Sequence, residues 1–110
     1  MTTMTPEKLY SEFRYAEFLM ELGKHAEAAR VLDPVVATEP THAAALELRA
    51  RALFASAQLG RAEQALQHLI ELRPDDGWAH MALARTLERQ GRAQNAAVHR
   101  RLAGVLGHQG

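Results

Sequence analysis

The sequence predicts an all-α fold, six antiparallel helices paired as three hairpins and stacked as a solenoid. Three observations predict it. A nine-residue phrase recurs, as "ELGKHAEAA" from Glu21, "QLGRAEQAL" from Gln58 and "RQGRAQNAA" from Arg89. Each copy joins two amphipathic stretches through a glycine, which suits a helix end in the left-handed conformation. Pro40 and Pro74 close the first two units and stand 34 residues apart, the length of one helix-turn-helix repeat. Aromatics make up only 5% of the 110 residues, as expected of helices packed closely around small side chains.

Each element follows from its end signals. Thr5 is the expected N-cap of the first helix, with Pro6 at its first turn, and that helix runs to about Leu22. The second spans roughly Lys24 to Thr38 and carries Pro34. Proline lacks an amide hydrogen and crowds the carbonyl of Arg30, so a bend within one continuous helix is expected. The third starts at the cap Thr41 and reaches Leu59, and a shorter fourth covers about Arg61 to Leu72. Asp75 or Asp76 caps the fifth, which runs to Gln90; the sixth covers Arg92 to about Val105, and "GHQG" frays.

The glycines are unevenly spaced, 37 residues from Gly23 to Gly60 but 31 from Gly60 to Gly91, although the prolines keep 34. Three residues added to one helix and removed from its partner would make the middle hairpin tip protrude by about 4.5 Å. The tip loop "LGR" around Gly60 is then either a contact point or a neutral drift in length. This register puts Ala28, Ala65 and Ala96 five places after each glycine, where the two helices of a hairpin approach closely. A valine at Gly60 is expected to meet an unfavourable backbone.

Together these residues resemble the tetratricopeptide repeat family. The likeness covers nearly the whole chain as one domain, residues 1–110, with repeats at about 6–40, 41–74 and 75–106. Tyr15-Ala16 with Leu19, and Leu83-Ala84 with Leu87, match the large, small and large positions of the family's first helix. The aromatic usual early in that helix is replaced by Glu12, Leu46 and His80, with Trp78 displaced by two. The resemblance implies a right-handed superhelical array whose first helices line a concave groove. Its groove residues would be Tyr10, Phe13, Glu17 and Met20, then Glu47, Arg51 and Phe54, then Trp78, Met81, Arg85 and Glu88. Helical spacing agrees for the middle set, because Glu47, Arg51, Phe54 and Gln58 form a stripe beside the apolar Leu46, Ala50, Leu53 and Ala57. Relatives that clamp a terminal carboxylate use lysines, asparagines and an arginine; here Phe13, Glu17, Leu48, Trp78 and Ala82 stand there instead. The expected partner is another protein, through a peptide or an amphipathic helix.

Other functions find less support. Balanced charge and a pI near 7.0 give no global attraction to nucleic acid or an anionic membrane. Arg89, Arg92, Arg100 and Arg101 read as the solvated end of a helix. Without cysteine there is no disulfide, thiolate nucleophile or thiolate metal site. No apolar run is long enough for a membrane span, and the start "MTTMTPEKLY" is not a secretory leader, so a soluble, cytoplasmic protein is expected. The six histidines include no i, i+4 pair on one helix, and there is no phosphate loop or nucleophile elbow. No metal, no cofactor and no enzymatic activity are therefore expected. The competing class is a homo-oligomer: no polar capping helix follows the sixth helix, so Ala97, Leu102, Val105 and Leu106 would leave an apolar edge for a second copy.

Overall fold

A computed structural model describes residues 4–108, in six α-helices and, among those residues, no strand. They are α1 (Pro6–Glu21), α2 (His25–Thr38), α3 (Ala43–Ala55), α4 (Leu59–Leu72), α5 (Gly77–Arg89) and α6 (Ala93–Val105). Met1–Thr3 and the last two residues of "GHQG" lie outside the described residues, whereas Gly107 and His108, expected to fray with them, close the end of α6 through Gly107 N–H to Gly104 O (3.1 Å) and His108 N–H to Ala103 O (2.8 Å).

The caps explain where helices start. Thr5 Oγ1 accepts from the Lys8 amide at 3.2 Å, and Asp76 Oδ1 accepts from the Ala79 amide at 3.0 Å, which decides between the two aspartates. Thr41 is not the cap of α3. The chain turns first, with the His42 amide donating to the Glu39 carbonyl at 3.1 Å. His42 Nδ1 then takes the capping role, accepting from the Ala45 amide at 3.1 Å. α2 is continuous across Pro34, and Thr38 Oγ1 donates to the Pro34 carbonyl at 2.9 Å.

The uneven glycine spacing resolves into a regular repeat. Gly23 and Gly91 have φ of +76° and +77°, and the residue that shares their conformation in the middle hairpin is Ala57, at φ 57°. Gly23, Ala57 and Gly91 are each 34 residues apart. Around Gly23 the helix end closes by Gly23 N–H to Met20 O (3.0 Å) and Lys24 N–H to Leu19 O (2.8 Å), and around Gly91 by Gly91 N–H to Glu88 O (3.0 Å) and Arg92 N–H to Leu87 O (2.8 Å). The middle phrase is thus "ASAQLGRAE" from Ala55, and Gly60 is the second residue of α4 with ordinary helical backbone. The expected protrusion and the strained valine at Gly60 are both overturned. α3 has 13 residues and α4 has 14, beside 13 each for α5 and α6. At the matching position of the middle repeat stands Ala62, fully buried like Ala28 and Ala96; Ala65, one turn on, is buried as well.

Cα packing divides the chain between Ser56 and Ala57 into two compact units. In the first, α2 packs against both α1 and α3. Leu19, Leu32 and Leu53 fill its interior, each stabilising by about 1.5–3 kcal/mol. Arg49 Nε bridges α3 to α2 through Asp33 Oδ1 at 2.8 Å. In the second unit α5 is the central helix, packed by α4 and most extensively by α6. That position explains why α5 is buried from Ala79 to Ala84 and again at Thr86 and Leu87. Buried Thr86 satisfies its hydroxyl within the helix, donating to the Ala82 carbonyl at 2.8 Å.

Candidate functional site

The first unit contains a pocket of about 410 Å³, within the usual range of about 300–1,000 Å³ for ligand pockets. Leu9, Tyr10, Phe13, Arg14 and Glu17 come from one face of α1, and Pro6, Val35, Glu39 and His42 complete the wall. Phe13 lies against His42, ring centroids 6.0 Å apart and tilted by 57°. The capping bond fixes the imidazole's tautomer: Nδ1 spends its lone pair on the Ala45 amide, so the proton sits on Nε2. Arg14 Nη1 is held by Glu17 Oε1 at 2.9 Å. Tyr10 stands at the rim, 69% exposed.

The expected groove residues divide between the units. Tyr10, Phe13 and Glu17 meet in this pocket. Met20, further along α1, places its sulfur 3.4 Å from His25 Nδ1. On α3, Arg51 Nε lies 3.6 Å from Glu47 Oε2, and Phe54 is half-buried. On α5 of the second unit, Trp78 is half-buried, Arg85 is exposed, and Met81 is only 8% exposed, which leaves it little surface to offer. Glu88 is engaged by Arg100 of α6, with Nη2 at 2.6 Å from Oε1.

The sixth helix keeps its apolar edge in water. Val105 is 83% exposed, and Ala97, Leu102, Val98 and Leu106 are exposed beside it. Two of the four C-terminal arginines are neutralised by carboxylates, Arg100 by Glu88 and Arg92 by Glu63 at 2.9 Å, which weakens any basic patch. Across α5 and α6, His80 and His99 stack at 5.3 Å with their Nδ1 atoms 3.1 Å apart. His80 is 3% exposed. Its Nε2–H donates to the Pro74 carbonyl at 2.9 Å, so its Nδ1 is the acceptor for His99 Nδ1–H. Burial, and then the neighbouring His80, hold His99 below the ordinary histidine pKa.

Sequence reasoning missed two thirds of the pocket lining. Pro6, Leu9, Arg14, Val35, Glu39 and His42 follow from no groove rule, and the one available signal was the pair Glu39 and His42 flanking Pro40. Tyr15, which matches a large position of the family's first helix, is exposed, as are Phe18 and Leu22 along the same side of the chain. Among the described residues no group of three or more His, Cys, Asp or Glu is placed to hold a metal ion, and no helix is long and apolar enough to cross a membrane.

Solved structures of MamA share this fold. A double mutant of MamA from strain RS-1 superposes with a TM-score of 0.83 at 26% identity, covering 93% of this chain and 57% of that one. A MamA fragment from Desulfovibrio magneticus RS-1 gives 0.82 at 26% identity over 93% and 58%. A MamA point mutant gives 0.86 at 23% identity over 96% and 77%. The chain therefore spans less than two thirds of the length of the first two. No curated protein matches it. The profile described as tetratricopeptide repeat matches twice, over residues 16–76 and 48–103. With that match, the 34-residue register and the helical hairpins, the chain belongs to the tetratricopeptide repeat family, whose stacked helices form protein-interaction modules.

Proposed function

We propose that this chain is a non-catalytic adaptor whose three repeats act as one domain and bind a peptide or an amphipathic helix along α1, α3 and α5. The observation that carries the reading is the pocket on α1, where Phe13 and exposed Tyr10 line a cavity of about 410 Å³. An aromatic held in water above an apolar cavity is the kind of anchor that peptide recognition uses. Half-buried Phe54 and Trp78 are aromatic surfaces of the same type on the other two helices. Amide chemical shifts recorded during titration with a partner captured from native extract test it: perturbations should concentrate on α1, α3 and α5. Shifts confined to α2, α4 and α6 would refute it.

Self-assembly is the second reading, favoured by the exposure of Val105, Leu102 and Leu106 on α6. An apolar edge of this kind lowers its free energy by meeting another.

A further inference from the structure

We infer that the α1 pocket receives one bulky apolar side chain from a partner segment that carries a lysine or arginine beside it, with Glu39 as the carboxylate that meets this cation. The inference rests on the groove reading above and names the partner's chemistry at one point of it.

The apolar half of the argument is the lining. Leu9, Phe13 and Val35 contribute hydrocarbon, and Pro6 and Tyr10 extend it to the mouth. With Tyr10 69% exposed at the rim, the mouth runs out onto open helix surface. A length of chain would cover that surface, whereas a small molecule in the cavity would leave it wet.

The polar half is a count of charges in the same wall. Arg14 and Glu17 are joined at 2.9 Å and cancel. His42 caps α3 with its Nδ1 lone pair, and that bond requires the neutral ring. Glu39 is the remaining charge, half-buried at the C-cap of α2. No lysine or arginine of the described residues lies within ion-pair distance of it. The wall therefore carries one uncompensated negative charge where water screening is reduced. It repels an acidic segment and attracts a basic one. His42 adds direction, since its Nε2–H has no acceptor among the described residues and suits a backbone carbonyl of the segment.

The test is a selection of random twelve-residue peptides displayed on phage against the full chain, followed by fluorescence anisotropy with a selected peptide. The expected consensus is a leucine, isoleucine, methionine or phenylalanine next to lysine or arginine. Glu39→Lys should weaken binding by about tenfold or more, and changing the peptide's lysine to glutamate should restore it. Glu71→Gln removes an exposed charge of equal sign on α4 and should change nothing, which separates local pairing from net charge. Tyr10→Ala, at an exposed position that folding does not need, should also weaken binding. Peptides without a basic residue, or equal affinity for wild type and Glu39→Lys, would overturn the inference. Peptides lost on Phe54→Ala and Trp78→Ala yet indifferent to Glu39 and Tyr10 would overturn it while leaving the groove intact. Selected peptides indifferent to both sets would overturn the two together.

Discussion

Exchanging the residues at positions 57 and 60 should stabilise the protein. Ala57 holds φ 57° at the middle hairpin turn, a conformation that costs an L-residue about 1–2 kcal/mol. Glycine there removes that cost and gives back about 0.4–1 kcal/mol through the freedom it adds to the unfolded chain, a net gain of about 0.5–1 kcal/mol for Ala57→Gly. Gly60 lies in the first turn of α4, where an added Cβ meets nothing within 4 Å. Alanine is better than glycine by about 1 kcal/mol inside a helix, and about half of that is expected in the first turn. Together the two changes should stabilise by about 1–1.5 kcal/mol, with a rise in Tm of roughly 4–8 °C per kcal/mol for a chain near this size. Urea and thermal melts of the single and double variants measure it. If Gly60 were the turn residue, both signs would reverse, since Gly60→Ala would incur the left-handed cost and Ala57→Gly would loosen a helix. A double variant that melts below wild type refutes the register.

Three further outcomes are expected. Ala28→Leu, Ala62→Leu and Ala96→Leu should each cost about 1–3 kcal/mol by overpacking a fully buried position, and unchanged melts at all three would contradict the close packing around these alanines. Stability should fall on acidification below the ordinary histidine pKa: with the folded-state pKa of His99 depressed by burial and by His80, the unfolded chain takes the proton first, so stability rises with pH across that window. His99→Gln should flatten that part of the profile of urea midpoints between about pH 5 and 7.5, and an unchanged slope would remove the assignment. Leu102→Glu or Leu106→Glu, at exposed positions on α6, should reduce self-association in light scattering without loss of helicity, and a wild type that stays monomeric at high concentration removes the premise.

Much of the fold was legible because helix ends write themselves into sequence. Thr5 with Pro6, Asp76, Pro40 and Pro74 are local signals, and each lies at or beside a helix end. The misreadings have a common cause. Glycine is the usual carrier of the left-handed turn, so Gly60 attracted the assignment that belongs to Ala57, and the shifted register made Ala65 stand in for Ala62. Thr41 outranks histidine by capping preference, and only the turn closed between His42 and Glu39 excludes it. The site was less legible because it is tertiary. Val35 and Glu39 approach Phe13 through the packing of α2 on α1, a contact absent from any local pattern. Tyr15 fits a large position of the family's pattern yet is exposed, since periodicity marks which residues share a face and leaves open what covers it.

The central claim, that partners bind across α1, α3 and α5, is tested most directly by the affinity of a captured partner for Phe54→Ala and Trp78→Ala, each first shown to keep wild-type helicity and melting. Both aromatics are half-buried, so truncation removes contact area while the buried core leucines Leu53 and Leu83 are unchanged. Titration calorimetry should find each variant weaker by about 2 kcal/mol or more, as expected of aromatic anchors. Wild-type affinity in both folded variants would contradict the claim and move recognition to other helices.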